Sequence, residues 1–293
     1  KMKYAYLIIA HNEFEVLRKL VGALDDCRND IYVHIDKKVK ELPELSTRKS
    51  GLFVLQNRVD VRWGHVSQIE SEYALFEAAY RSQENYSRYI LISGTHLPLK
   101  PQDAIHRFFD ENSGKELLRQ IGCDKGNVNF KLYFRHYFLR SSQAANPVIR
   151  KIGHFLWCTV CYIQKRLPMN MDRVQAITRA NNWVALSNLM VKYLIEKKKE
   201  TLARFRRSYC GDEYFVPYII EHSGGKFEAT LCSNLLFNDF GAYARPRVLT
   251  IDDYDFLMGS DYLFARKFNG KNMQLVDKVL KTIDQDKKVT NTE

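Results

Sequence analysis

The sequence contains neither a Gly-x-Gly-x-x-Gly fingerprint nor a Walker loop, which disfavours a dinucleotide or ATP site of the glycine-rich kind. Its 14 glycines and 7 prolines form no linker-like cluster with serine, and no internal repeat is present, so nothing splits the 293 residues into separate modules. Six cysteines, at 27, 123, 158, 161, 210 and 232, are too scattered for the disulfide framework of a small secreted domain. Reduced thiols in a cytoplasmic enzyme are the expectation. Cys158-Thr-Val-Cys161 has no second Cys/His pair near it and lies in an apolar run, which favours packing over zinc or redox chemistry. Long hydrophobic runs are missing too: the stretch from Ile152 to Ile163 is too short to cross a bilayer. The chain opens on Lys1-Met-Lys and then a strand, so no signal peptide or membrane span is expected ahead of the fold. Acids are scarce relative to bases, 34 against 45, and the resulting charge of +11 calls for an anionic partner. Charge alone leaves nucleic acid, a phospholipid surface and a phosphorylated substrate open.

What is present belongs to an ordered globule, with 45% hydrophobic and 13% aromatic residues. Tyr4 to Ala10 is rich in β-formers and leads through His11-Asn-Glu into a helical spacing at Val16, Leu17, Leu20, Val21 and Leu24. Further strands are expected at Asp30 to Asp36, Leu52 to Leu55 and Tyr89 to Ser93, with helices at Val66 to Ser82 and Gln102 to Glu111. This alternation predicts an α/β fold with a mostly parallel sheet flanked by helices. Ligands of such sheets gather beyond the carboxyl ends of the strands, here His11-Asn12, His34 to Asp36 and Ser93 to His96. Asp36 is placed to accept hydrogen bonds from a base or ribose, and His11 and Asn12 line the same mouth; polar strand-end caps without function remain the alternative. One domain is expected, with residues 1–112 as a nucleotide-binding half, 113–270 as the other half and 271–293 as a C-terminal helix and tail.

Beyond residue 115, Phe130 to Phe138 interleaves aromatics with Lys131, Arg135 and His136, which suits a sugar-binding wall or a nucleic-acid stacking strip. Arg150, Lys151, Lys165 and Arg166 flank the 152–163 stretch in a way that fits a helix lying on an anionic membrane; a half-buried helix of the globule fits as well. Asn181 to Ser187 reads as a strand and Asn188 to Glu200 as one helix. In Ser208-Tyr-Cys-Gly-Asp-Glu-Tyr-Phe-Val-Pro217, Gly211 offers a turn and Asp212 an N-cap, so Glu213 is expected to project from a helix N-terminus into a cleft. Arg247 and Lys267 follow downstream, the latter between Phe264 and Phe268. A carboxylate that accepts a hydroxyl proton and cations beside a diphosphate make the chemistry of a sugar-nucleotide transferase.

Six segments resemble, in order, the core 2/I-branching N-acetylglucosaminyltransferase family: Ala5 to Asn12, Val33 to Asp36, Leu91 to Leu99, Asn182 to Ser187, Gly211 to Phe215 and Leu263 to Phe268. The resemblance implies a GT-A-like nucleotide-sugar fold, inversion at the anomeric carbon and no metal or other cofactor, the UDP-sugar being a co-substrate. It implies that Glu213 is the catalytic base and that Arg247 and Lys267 neutralise the diphosphate, with Arg245 a competitor for the role of Arg247. Asp36 then matches a uridine-binding acid, Trp63-Gly-His65 falls where donor contacts lie, and His96 stands where relatives carry Asp. Arg135, His136 and Trp183 are the acceptor-side candidates. The partners implied are a UDP-sugar and a glycan or lipid-linked glycan, with a cytoplasmic place in surface polysaccharide assembly, on the inner membrane face if residues 152–163 dock.

Two fixed cations can stabilise a leaving UDP as a divalent ion would, each electrostatic contact contributing on the order of 3 kcal/mol. Asp253-Tyr-Asp255 spells the metal-binding DxD, but Thr250 to Leu257 reads as a capped helix start with acids in its first turn. Family membership leaves N-acetylglucosamine, xylose and other donors open. From other classes, a nucleic-acid-binding protein and a non-catalytic glycan-binding module compete; no recognition module supports the former, and Glu213 speaks against the latter.

Overall fold

The apolar run of β1 (Lys3–Ala10) is buried along nearly its whole length because strands pack against both of its edges and helices against its faces. The computed structural model describes residues 2–82, 84–122, 134–167, 179–240 and 246–290. α1 (Phe14–Ala23) buries Val16, Leu17, Leu20 and Val21, the stripe its spacing predicted. β2 (Asn29–Ile35) is buried at every residue, as a strand interior to a parallel sheet must be, and β3 (Gly51–Val54) pairs beside it. α2 (Ser67–Arg81) returns the chain to β4 (Tyr86–Ser93). Ile8 faces Val33 on one side and Ile92 on the other, so β1, β2 and β4 run parallel and end at one edge.

The chain continues through β5 (Leu97–Pro98), α3 (Gln102–Glu111), β6 (Glu116–Gly122) and α4 (Pro147–Arg166), then β7 (Arg179–Leu186), α5 (Asn188–Glu196) and α6 (Lys198–Phe205). α7 (Phe215–Glu221), β8 (Ala229–Leu231), β9 (Leu236–Asn238), α8 (Tyr254–Gly259), β10 (Phe264–Arg266) and α9 (Met273–Thr290) complete it. The main sheet has the order β3-β2-β1-β4-β7-β6-β8, and a three-stranded sheet runs β5-β10-β9. The fold is therefore α/β with a large, mostly parallel sheet flanked by helices.

The structure sets one strand direction and changes one expectation. β7 lies antiparallel to β4, with Tyr89 opposite Leu186, so its first residue, Arg179, sits at the edge where β1, β2 and β4 finish. The single helix expected over 188–200 is two, because Lys197 adopts φ −86°, ψ 0° and interrupts it. The predicted strand, loop and helix boundaries of the first 111 residues otherwise agree to within three residues.

Candidate active site

At the carboxyl end of β1 the backbone turns through His11-Asn12 and Glu13, the last at φ 54°. The Glu13 carboxylate accepts from Gly270 N at 2.7 Å and so ties this turn to the segment after β10. Phe268 N donates to Thr95 O at 3.0 Å and Leu249 N to Lys267 O at 2.9 Å, which lays Lys267 across the ends of β1 and β4. Burial lowers the His11 pKa; Lys267, Lys38 and Arg266 act in the same direction and Asp36 opposes them. One neutral imidazole thus lies in the field of three cations and a carboxylate. Asp36 is buried, and its carboxylate accepts from Lys38 N at 2.9 Å and pairs with Lys38 Nζ at 2.6 Å. Lys38 Nζ also reaches Asp60 at 3.1 Å, joining the uridine-side candidate to the loop before α2.

That loop carries Trp63 and His65. Trp63 is half-exposed and its ring meets Tyr209 edge-on at 5.3 Å. Gly64 has φ +71°, and a Cβ there would lie 2.5 Å from the Tyr209 ring, so only glycine permits the contact. Cys210 N donates to Gly64 O at 2.9 Å, and Gln68 takes the Gly64 N–H while giving its own to Asp212 at 2.8 Å. His65 accepts from Ser67 N at 3.1 Å, and burial, followed by Arg140, lowers its pKa. The loop and the Glu213 segment are therefore one hydrogen-bonded unit.

Gly211–Glu213 is a 3₁₀ turn entered through Cys210 at φ 53°, and α7 begins only at Phe215. This corrects the expected N-cap. Pro217 is the third residue of α7, where the missing N–H costs no helical bond, and that sets the helix start two residues before it. Asp212 turns inward to Gln68 instead of capping. Glu213 accepts from Arg179 through Oε2, at 2.8 Å from Nε and 2.7 Å from Nη2. Burial opposes the Arg179 charge, but Glu213 outweighs it and raises the Arg179 pKa. Arg179 opens β7, so Glu213 and Lys267 stand at the same edge of the sheet.

Other candidates fall elsewhere. His96 is fully buried, its Nδ1 bound by Ser93, with burial and then Arg266 holding its pKa well below the usual range. Trp183 is 7% exposed, 5.1 Å from the His96 ring and 5.0 Å under the Arg266 guanidinium. Both are buried beside Arg266 and expose little surface in this structure. His136 is buried against Trp157, Cys161 and Tyr209, and burial takes its pKa to about 4. It anchors α4, while Arg135 is exposed beside it. Phe130 to Tyr133, with Lys131, and Arg245 lie outside the described residues.

Arg247 is clamped by Asp239 at 2.9 Å and by both oxygens of Asp253 at 2.8 and 2.6 Å, which raises its pKa. A diphosphate would have to compete with two carboxylates for it. Asp253 also completes a capping box with Thr250, so its place in the DxD spelling is a helix start. Among the described residues no group of three or more His, Cys, Asp or Glu is arranged to hold a metal. Cys158 and Cys161 are both free thiols.

The sequence reading missed Arg266 and Arg179. Arg266 has no hydrogen-bond partner at Nε among the described residues, and burial takes its pKa down to about 10. A desolvated guanidinium of this kind stands ready for an anion. Strand alternation was the available signal within β10: Phe264 and Arg266 share one face of that strand. A cleft of about 550 Å³ opens beside the Trp63–His65 loop, lined among others by His65, His136, Phe138, Arg140, Arg206 and Arg207; Glu213, Arg266 and Lys267 do not line it.

A family model described as Core-2/I-Branching enzyme matches residues 4–241. The chain is 20% identical over 234 residues to the curated protein Xylosyltransferase oxt of Drosophila pseudoobscura pseudoobscura, a match over 76% of this chain and 24% of that protein. It thus spans about a quarter of that relative's length. The solved apo structure of mouse xyloside xylosyltransferase 1 aligns at a TM-score of 0.40 and 10% identity, over 93% of this chain and 99% of that one. The apo structure of the bifunctional glycosyltransferase WbbM aligns at 0.39 and 10%, over 90% of this chain and 45% of that one.

Proposed function

The chain belongs to the Core-2/I-Branching enzyme family, and on that premise we propose that it is an inverting glycosyltransferase that moves a sugar from a UDP-sugar to a glycan hydroxyl without a metal ion. The observation that carries the reading is the common edge shared by the Glu213–Arg179 pair and by Lys267 with Arg266, above His11 and Asp36. The acceptor hydroxyl gives its proton to the Glu213 carboxylate as its oxygen forms the new bond to the anomeric carbon. The bond to UDP breaks on the opposite face, and its electron pair leaves on the diphosphate oxygen. Lys267 and Arg266 are the cations best placed to stabilise that charge, with Arg247 contributing once released from Asp239 and Asp253. Arg179 orients the base through its paired contacts with Oε2.

N-acetylglucosamine is the donor implied by the family resemblance. The similarity to a protein named as a xylosyltransferase favours a second reading, transfer of xylose. A panel of UDP-sugars, assayed for UDP release with acceptor glycans in EDTA, decides between them. Turnover in EDTA is expected. Activity that vanishes in EDTA and returns with manganese overturns the metal-independent part. Glu213→Gln is expected to keep UDP binding, read by calorimetry, while turnover drops at least about a hundredfold. Wild-type turnover in that variant removes Glu213 from the mechanism.

A further inference from the structure

α4 shows solvent its apolar side. Asn146 caps it, accepting from Val148 N at 2.9 Å and Ile149 N at 3.3 Å, and Pro147 fits the first turn. Its inner face is fixed by Gly153, Trp157 and Gln164: a Cβ on Gly153 would lie 2.5 Å from the Ser141 backbone, and Gln164 donates to Arg135 O at 2.9 Å. Opposite that face, Val148, Ile152, Phe155 and Tyr162 recur at helical spacing and are 64%, 56%, 69% and 55% exposed. Ile149 and Ile163 widen the stripe. An apolar stripe of this length on a soluble surface marks an interaction site.

The charges on the helix identify the partner. Arg150, Lys151, Lys165 and Arg166 are all exposed, and residues 147–166 include no Asp or Glu. A second copy of the chain laid on this face would set cations against cations with no acid on the helix to offset them. An anionic bilayer satisfies both features, taking the apolar side chains among its acyl chains while the basic ones meet lipid phosphates. No described helix is long and apolar enough to cross a membrane. We propose that α4 docks the protein on an anionic lipid surface, lying in the plane of the headgroups with Ile152 and Phe155 inserted. The inner face of α4 packs on residues 134–143, part of which walls the 550 Å³ cleft, so docking holds that wall roughly one helix diameter, about 10 Å, from the lipid.

Flotation of the full chain with vesicles of phosphatidylcholine containing phosphatidylglycerol, compared with phosphatidylcholine alone, tests this without donor or acceptor. Its failure is thereby distinct from a failure of the transferase reading. Wild type is expected to float with the anionic vesicles and much less with neutral ones. Ile152→Ser with Phe155→Ser retains every charge and is expected to lower partitioning at least about tenfold at unchanged Tm. Arg150→Ala with Lys151→Ala, which leaves the apolar stripe intact, is expected to weaken binding to anionic vesicles and leave the residual binding to neutral ones unchanged. The proposal fails if wild type stays behind with anionic vesicles or if the serine pair floats like wild type. It also fails if wild type is a dimer that the serine pair converts to a monomer, which would make the stripe a self-interface.

Discussion

Glu72 shows how a single residue can carry a cost that only the folded environment reveals. In the sequence it is one acid among several on α2. In the structure it is 1% exposed, and burial, followed by the neighbouring Asp212, raises its pKa well above the ordinary value. A carboxyl with a raised folded pKa favours the folded state at low pH and weighs against it once the pH exceeds the unfolded value of about 4.3. Glu72→Gln is therefore expected to stabilise the protein at pH 7 by about 1 kcal/mol or more, measured by urea denaturation. The gain should vanish near pH 4; a loss of stability at pH 7 would show that the charged form is needed. Arg266 and Arg179 illustrate the same gap at the site. Both were visible as letters, but their importance follows from which way a strand faces and which edge it reaches.

Among the elements, the turn before α2 is the one whose shape is most narrowly set. Gly64 combines φ +71° with a ring at 2.5 Å, and the Gly64–Gln68–Asp212 bridge couples it to Glu213. Gly64→Ala is expected to cost about 1–2 kcal/mol through backbone strain and to push Tyr209 away. Turnover should fall further than stability, because the displaced segment leads directly into the 211–213 turn. Denaturation together with UDP-release kinetics separates the two effects, and wild-type kinetics would show that the bridge has slack. The apolar run within α4 and the basic residues at its ends were legible in the sequence. The choice between burying its apolar side and exposing it was not, because periodicity marks two faces without saying which one the rest of the chain covers.

Across the whole molecule, acid stability depends on neutral histidines. Burial takes His34, His106 and His136 to about 4, and His96 well below its usual value. A histidine with a depressed folded pKa contributes stability that is complete above its unfolded pKa near 6.5 and is lost as the pH falls toward the folded value. Asp26, whose pKa the Arg28 pairing lowers in spite of burial, adds a loss of the same sign at lower pH. Glu72 and Glu116, both raised by burial, act in the opposite direction but are two groups against six histidines, His11 and His65 being lowered as well. Unfolding free energy is thus expected to drop by at least about 3 kcal/mol between pH 7 and pH 4.5. A flat profile over that range would mean that these imidazoles are hydrated in solution. The sequence by itself determined the βα alternation, the parallel first strands, the stripe of α1 and the ordered motifs that name the family, because local spacing and side-chain chemistry are enough for each. Only the tertiary structure decided that β7 runs backward, that Glu213 meets Arg179, that Arg247 is held by two acids and that Trp183 and His96 are buried beside Arg266. The Arg247 clamp is local, with partners eight and six residues away, but the others depend on contacts between residues tens of positions apart, 34 for Glu213 and Arg179, and a linear pattern carries no information about which distant partner will satisfy a charge.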